Sequence, residues 1–144
     1  HQFYYPDCVF VEPGPDGRVW VADMGNNRVQ VLTKEGAHVR TLGITQGGDG
    51  NHQFNGPAGV CVEPGPDGRV WVADLANERV LVLTKGGAHV QTLGATGQWS
   101  SNLRFDHPRA VAIDDGKLYV ADQMNHRVLV FLTTKCPRRI EPGV

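Results

Sequence analysis

The 144-residue chain is long enough to form one domain with a buried core, and its 40% apolar content excludes a disordered polypeptide. Its 14 basic and 15 acidic side chains leave a formal net charge of −1, so the overall charge gives no reason to expect a nucleic-acid-binding or membrane-surface protein. No apolar run is long enough to cross a bilayer, and we expect no membrane partner.

Four short segments rich in valine, leucine and aromatic residues follow one another along the chain, each bounded by turn residues. In their clearest form they read GVCVE, RVWVAD, RVLVLT and HVQTLG. This composition is typical of β-strands. EPGPDG separates the first two segments, and its Asp-Gly favours a tight hairpin. Four sequential antiparallel strands with short turns form one blade of a β-propeller.

The four-segment unit occurs three times. VEPGPDGRVWVAD begins at Val11 and again at Val62, an offset of 51 residues. The third copy lacks three residues in its first turn, so its offset is 48 from Gly116 onwards. The repeats predict a single domain over residues 1–144, with blades at about 2–52, 53–103 and 104–135. The remaining residues, 136–144, contain no segment of strand type and are predicted to be a tail.

The repeated pattern FxxPxxVxVx, DGxxxVAD, NxRVxVx resembles the NHL repeat. The resemblance implies an all-β fold, a partial β-propeller of three four-stranded antiparallel blades that make up half of a six-bladed ring. NHL domains occur in ubiquitin ligases, RNA-binding translational regulators, bacterial serine/threonine kinases and an amidating lyase. We predict a non-catalytic binding module for a protein partner, such as the substrate-recognition part of a ubiquitin-ligase-type or regulatory protein.

Each copy repeats an aspartate, an asparagine and an arginine around the turn between its second and third strands. The simplest interpretation is structural, with an Asp–Arg ion pair across the hairpin or between neighbouring blades, and an asparagine that tolerates the left-handed conformation of the turn and caps backbone amides. A ring of ligand-binding acids is the alternative interpretation. These residues are Asp23, Asn26, Arg28, Asp74, Asn77, Arg79, Asp122, Asn125 and Arg127.

An aromatic residue stands at one position of the second strand in every copy: Trp20, Trp71 and Tyr119. Such a row could stack bases or sugars. An aromatic residue repeated once per blade is more typical of packing between blades, and we favour that interpretation.

Antiparallel strands place the second-to-third turns and the links between blades on one face of the arc. These segments differ between copies, so we expect a ligand site there. Trp99 lies in a Gly/Ser/Asn-rich link and is the first candidate, because aromatic and arginine residues are favoured at interfaces. Packing of Trp99 against the blade edge is the alternative. The candidate binding residues are Trp99, Met24, Leu75, Arg104, His107, Arg109 and His126.

Catalysis, metal binding and cofactor binding are not expected. In the pattern of the amidating lyase a zinc-ligating histidine follows the repeat's proline, but Asp7, Ala58 and Arg109 stand there instead. His126 resembles a second histidine position of that enzyme, and one histidine is not a zinc site. Single-stranded RNA binding through Arg104, Arg109 and Arg127 is an alternative to protein binding, although Asp23, Asp49, Glu78 and Asp106 dilute the positive field.

Three blades do not close a six-bladed ring. The chain is therefore expected to be a fragment of a longer protein or, as a second hypothesis, one half of a homodimeric ring. Its three cysteines have irregular spacing and form no disulfide or zinc pattern, which favours a reducing compartment such as the cytoplasm. Cys61 lies in an apolar run and is predicted to be a small buried hydrophobic residue.

Overall fold

The computed structural model describes residues 2–94 and 104–133, and the backbone of 138–141. These residues form three four-stranded antiparallel sheets whose strands pair in chain order. Blade 1 contains β1 (Pro6–Val11), β2 (Val19–Asp23), β3 (Arg28–Leu32) and β4 (His38–Gly43). Blade 2 contains β5 (Pro57–Val62), β6 (Arg69–Asp74), β7 (Arg79–Thr84) and β8 (His89–Leu93). Blade 3 contains β9 (Pro108–Asp114), β10 (Lys117–Asp122), β11 (Arg127–Leu132) and β12 (Arg138–Glu141).

The predicted all-β architecture of three antiparallel blades, a partial propeller, is confirmed. The strands form here because alternating residues of each strand point to opposite faces of its sheet, and Val, Leu and aromatic side chains fill both faces of the central strands β6 and β7. Between β2 and β3, between β6 and β7 and between β10 and β11 lies one short 3-10 turn: Met24–Asn26, Leu75–Asn77 and Gln123–Asn125. No helix among the described residues has the length and apolar composition of a membrane span.

Two apolar cores hold the arc together, one at each junction between neighbouring blades. At the first junction Trp20 and Leu42 of blade 1 pack with Val60 and Leu81 of blade 2. At the second junction Trp71 of blade 2 belongs to the equivalent core with residues of blade 3. Trp20 and Trp71 are fully buried, which confirms the packing role predicted for the row of strand aromatics at these two positions. Tyr119, on the outer side of blade 3, is half-buried.

Cys61 lies in the second core and is 3% exposed. Burial raises the pKa of its thiol, so the group stays protonated and packs as a small apolar side chain. The interpretation of this residue from its apolar flanks is confirmed.

At each junction a phenylalanine packs on a glycine at the end of the preceding blade. Phe54 lies over Gly43 at the end of β4, and Phe105 lies over Gly94 directly after β8. Both glycines have positive φ, +90° and +83°, and a Cβ on either would overlap the phenylalanine ring. The repeated Phe of the motif is therefore the side chain that closes each link against the preceding blade.

The prediction of a strandless tail at 136–144 is wrong for part of that segment. Arg138–Glu141 is a strand that pairs antiparallel with β11, with Phe131 opposite Arg139 and Leu132 opposite Arg138. The outer strand of a blade needs only backbone hydrogen bonds to the edge of its neighbour, and polar side chains are common at such an edge. A search for apolar alternation could not detect it.

Candidate functional site

The turns between second and third strands and the links between blades lie on one face of the arc, called here the link face. Backbone hydrogen bonds join each turn to the link that precedes its own blade. Gly25 N–H donates to the Tyr4 carbonyl at 2.8 Å, and Ala76 N–H donates to the Asn55 carbonyl at 3.0 Å. The same bond joins Met124 N–H to the Asp106 carbonyl at 3.0 Å. Turns and links therefore form one connected surface.

The repeated aspartate organises this surface. Asp74 is fully buried, and its carboxylate accepts hydrogen bonds from the Asn55 backbone (2.7 Å), the Asn77 amide (2.8 Å) and Arg79 Nε (2.8 Å). Burial raises the pKa of Asp74, and these three hydrogen bonds oppose the rise. The guanidinium of Arg79 also donates to the Gly50 and Gln53 carbonyls, so the ion pair fastens the link to the blade.

The same arrangement occurs in the other two blades. Arg28 Nε lies 2.7 Å from Asp23, and Arg127 Nε lies 2.7 Å from Asp122. Both aspartates are fully buried, whereas the arginine side chains are 17% and 23% exposed. The predicted ion pair across the hairpin is confirmed in all three blades. These residues stabilise the link face and are not available as a ring of ligand-binding acids.

The role predicted for the repeated asparagine in the turn is wrong in one respect. The left-handed residue is the next one along the chain: Asn27 (φ 52°), Glu78 (φ 53°) and His126 (φ 52°). The repeated asparagine lies in the 3-10 turn and donates its amide to the buried aspartate, at 2.9 Å from Asn26 to Asp23. A hydrogen bond from the asparagine amide to an ionised carboxylate is stronger than one to a neutral backbone group. The asparagine side chain therefore turns to the aspartate.

An ion pair connects the inner strands of the two outer blades. Arg109 Nη2 lies 2.9 Å from Asp7 Oδ1, and Ala58 is the equivalent residue of the middle blade. Ala58 is 2% exposed and has a side chain too short to interfere with this contact. In the amidating lyase pattern these three positions carry a zinc-binding histidine. In this chain two of them form the Asp7–Arg109 ion pair and the third is Ala58.

Large apolar side chains are exposed on the link face. Tyr4 is 58% exposed and Tyr5 66%, with ring centroids 4.7 Å apart in an edge-to-face arrangement. Met124 in the blade 3 turn is 54% exposed, and Ile44 in the first link is 46% exposed. Aromatic and methionine side chains are enriched at protein interfaces. These side chains are exposed on a face whose backbone the Asp–Arg ion pairs hold in place. The link face is therefore a candidate binding surface.

A cavity of about 350 Å³ opens on the same face, between the blade 2 turn and the second link. Arg104, Glu78 and Asn77 contribute to its lining, together with Phe105 and Gly94. Close by, Glu78, Asp106 and His107 have ligand atoms that lie within 4.8 Å of one another. His107 Nδ1 lies 2.7 Å from Asp106 Oδ1. This is a donor set that a divalent cation could use.

The structure brings several of the predicted binding residues to this face. Met24 and Leu75 are half-buried in their turns, and His126 is exposed at the left-handed position of the blade 3 turn. Arg104 lines the cavity, and His107 is exposed with φ +55°. Trp99, the first candidate, lies outside the described residues. The part that these residues play in binding stays a prediction.

Sequence reasoning missed Tyr4 and Tyr5. They stand directly before the motif's proline, where the other copies have Asn55-Gly56 and Asp106-His107. Tyr5, Gly56 and His107 share a left-handed conformation, with φ of 49°, 68° and 55°. A bulky residue in that conformation is unusual outside turns. Alignment of the three copies at this position would have singled out the tyrosines.

A family model described as NHL repeat matches residues 105–131. Residues 105–131 therefore form an NHL repeat. The resemblance noted from the repeated motif is confirmed, and the two earlier copies share its pattern. The search of curated proteins gave no match to this sequence.

Solved propeller structures share the fold. A streptogramin B lyase structure aligns with a TM-score of 0.57 and 18% identity over 91% of this chain and 39% of its own. A catalytically inactive virginiamycin B lyase from Staphylococcus aureus, with quinupristin, aligns with a TM-score of 0.60 and 17% identity over 96% and 42%.

An auxiliary nutrient binding protein from Bacteroides ovatus aligns with a TM-score of 0.66 and 19% identity over 92% of this chain and 37% of its own. The chain therefore spans about two fifths of the length of these structures. At this level of identity the likeness shows the fold alone. The similar proteins include both lyases and binding proteins.

Proposed function

We propose that the chain is a binding module whose link face recognises a protein partner. The observation that carries the proposal is the exposure of Tyr4, Tyr5 and Met124 on a surface whose backbone is held by buried Asp–Arg pairs. A rigid platform loses little conformational entropy on binding, and exposed aromatic side chains gain much by being buried. The structural similarity to nutrient binding proteins agrees with a binding role.

The charges on the link face favour protein over RNA. Two of the three arginines that could serve an RNA site, Arg109 and Arg127, form ion pairs with Asp7 and Asp122. An arginine already paired with a carboxylate contributes little to the counterion release that drives RNA binding. Binding is favoured over lyase chemistry because no histidine follows the motif's proline in any of the three copies.

Affinity capture with matched variants tests the proposal. Tyr5→Asn keeps a residue that tolerates the left-handed conformation, and Met124→Ser removes the second exposed apolar group. We expect partners captured by the wild-type chain to be lost from the double variant. Val90→Thr is the control, because Val90 is 46% exposed on the outer strand β8, away from the link face.

Capture that is equal for the wild type, the double variant and the control would contradict a link-face site. Two further measurements separate the alternatives. Salt-sensitive retention on an oligoribonucleotide column would favour RNA binding, and stoichiometric zinc or calcium in the purified chain would favour a metal-dependent enzyme. We also propose, from the NHL resemblance, that the binding takes place in a ubiquitin-ligase-type or regulatory context.

A further inference from the structure

One side of blade 1, called here the first flank, exposes apolar side chains whose equivalents are buried in the middle of the arc. It carries Phe3, Val9 and Val11, which are all exposed. The residues 51 positions further along the chain are buried in the core between blades 1 and 2. These equivalents are Phe54, Val60 and Val62. A blade that lay on the first flank as blade 1 lies on blade 2 would remove the same apolar side chains from water.

The opposite side of blade 3, the last flank, has the residue types that cover a neighbouring blade at the two internal junctions. At each junction an aromatic residue, an alanine and a valine of the preceding blade are buried in the shared core. These residues are Trp20, Ala22 and Val29 in blade 1 and Trp71, Ala73 and Val80 in blade 2. Blade 3 has Tyr119, Ala121 and Val128 at the same positions, and all three stay half-buried.

An ion pair on the face opposite the link face joins blades 1 and 2. Lys85, directly after β7, pairs with Glu12, directly after β1. The equivalent of Lys85 in blade 1 is Lys34, which donates to the Gly14 carbonyl, and the equivalent of Glu12 in blade 3 is Asp114. Both are exposed, and neither forms an ion pair with another described residue. Blade 1 thus offers the cation, and blade 3 the anion, of a contact that the chain already makes once.

The first junction also shows which residues meet on the link face when two blades pack together. Gly56, before the proline of blade 2, lies beside the turn of blade 1. Its N–H donates to Asn27 Oδ1 at 2.9 Å, and a Cβ on it would lie 3.7 Å from Met24 Cγ. The equivalent of Gly56 before blade 1 is Tyr5, and the equivalent of Asn27 in the blade 3 turn is His126. Packing of a last flank on a first flank would therefore bring this turn to Tyr5.

We propose that the first flank binds the last flank of a second copy of this chain, and that two copies close into one six-bladed ring. Each copy contributes three blades, so two identical contacts cover both flanks of both copies. At each contact Lys34 pairs with the partner copy's Asp114, and Tyr5 lies beside the partner copy's turn 123–126. The turn that carries Met124 thereby reaches the exposed tyrosines, which a single chain holds at the other end of its arc. The inference rests on the proposed function because it completes the same link-face site.

Charge reversal at the contact, followed by analytical ultracentrifugation of the full chain, tests the pairing of two copies. Lys34→Glu and Asp114→Lys each place like charges in both contacts, so each variant alone is expected to raise the dimer Kd about tenfold or more. In a one-to-one mixture the two variants form a heterodimer in which both contacts join opposite charges. The mixture is therefore expected to regain the mass of the wild type.

Asp67→Lys is the control, because it makes the same change of charge on the middle blade and should leave the dimer Kd unchanged. Melting followed by circular dichroism shows whether each variant is folded. Weakening that the mixture does not reverse would overturn the assignment of the contact to the two flanks. A wild type that stays monomeric at all concentrations would overturn the pairing itself and would assign the first flank to blades of another polypeptide segment.

Photocross-linking tests the composite site without a partner protein. Tyr5→p-benzoylphenylalanine keeps an aromatic side chain, and we expect it to cross-link to residues 123–126 of a second, ¹⁵N-labelled copy, as identified by mass spectrometry. Val90→p-benzoylphenylalanine, on the exposed strand β8, is the control and should give no link between copies. A dimer that cross-links elsewhere from position 5 would overturn the composite site, whether or not a partner protein binds. A dimer that cross-links as expected supports the composite site, and unchanged partner capture by its Tyr5→Asn, Met124→Ser variant would contradict the proposed function alone.

Discussion

At the residue scale, the buried aspartate of each blade connects the turn, the link and the third strand on the link face. Asp74 has no exposure and receives three hydrogen bonds, and its partner Arg79 is 5% exposed. In blade 3 the partner arginine, Arg127, keeps 23% of its side chain in solvent. The same ion pair therefore sits in two environments within one molecule. Removal of the carboxylate leaves a buried cation in one blade and a partly hydrated cation in the other.

We predict that Asp74→Ala lowers the free energy of unfolding by about 3–5 kcal/mol, because Arg79 is then left buried without a counter-charge. Asp122→Ala is the matched variant and should lower it by about 1–3 kcal/mol, since Arg127 can reach water. Denaturant titration followed by circular dichroism measures both. Equal losses for the two variants would contradict the dependence on arginine burial.

At the element scale, each pair of blades is joined by features that belong to neither blade alone. Gly94 lies at the end of blade 2 and packs against the ring of Phe105, which precedes blade 3. A Cβ on Gly94 would lie 2.2 Å from that ring. At the other junction, between blades 1 and 2, Glu12 and Lys85 make an electrostatic contact on the face opposite the link face. The packing of Phe54 on Gly43 and of Phe105 on Gly94 explains why the repeat contains both a phenylalanine and a glycine.

We predict that Gly94→Ala destabilises the chain by about 2–4 kcal/mol, through the positive φ and the overlap with Phe105 together. Gly36→Ala is the control. Gly36 has a similar φ of +90°, but a Cβ there would meet no atom within 4 Å, so only the backbone cost of about 1 kcal/mol applies. Thermal unfolding of both variants measures the difference. A Gly36 variant as unstable as the Gly94 variant would show that packing of Phe105 is unimportant.

The Glu12–Lys85 contact predicts a pH dependence. Burial alone would raise the pKa of Glu12, but hydrogen bonds from Lys85, Trp20 and the Arg18 backbone outweigh it and lower the pKa below 4.5. A carboxyl whose folded pKa is depressed stabilises the fold above its unfolded pKa, and the effect is lost as pH falls through the folded pKa. Glu12→Gln should therefore melt below the wild type at neutral pH, and the two melting temperatures should converge in acid. A difference that stays constant as pH falls would contradict this assignment.

At the scale of the whole molecule, the arc has two unlike open flanks. On blade 1 Val9 and Val11 are 60% and 52% exposed, whereas their equivalents in blade 2, Val60 and Val62, are 2% and 5% exposed under blade 1. The flank of blade 1 thus exposes the same apolar side chains that blade 2 buries against its neighbouring blade. The outer flank of blade 3 is equivalent to the side of blade 2 that covers blade 3. The first flank of one copy is therefore complementary to the last flank of another.

We predict that the separately produced 144-residue chain associates through these flanks. Light scattering behind a sizing column should give a mass above 15.7 kDa, and twice that value for a closed pair. Val9→Asp together with Val11→Asp should restore the monomer, because charges on the flank oppose burial. Val90→Asp, at an exposed site on β8, should leave the mass unchanged. A monomeric wild type at all concentrations would contradict flank association.

The sequence by itself determined the repeat, the strands of the first two blades, the hairpin turns and the face on which the links lie. Each depends on local chemistry: alternating apolar residues, Asp-Gly turns and a fixed spacing of copies. It also identified the Asp–Arg pair, since the two residues flank one short turn. The same turn and strand patterns recur in each copy, and comparison of the copies identifies them.

Only the tertiary structure decided what depends on neighbours distant in sequence. β12 forms because the edge of β11 is free to pair with it, and the residue types of β12 do not have the apolar alternation that predicts a strand. Arg109 meets Asp7 because two inner strands converge beside a small alanine. Among the described residues the indole N–H of Trp71 has no hydrogen-bond partner, whereas that of Trp20 donates to Glu12; Glu63, the equivalent of Glu12, pairs with Arg69 of its own blade. Such features arise from packing between blades, where the free energy of one residue depends on which other residues the fold brings beside it.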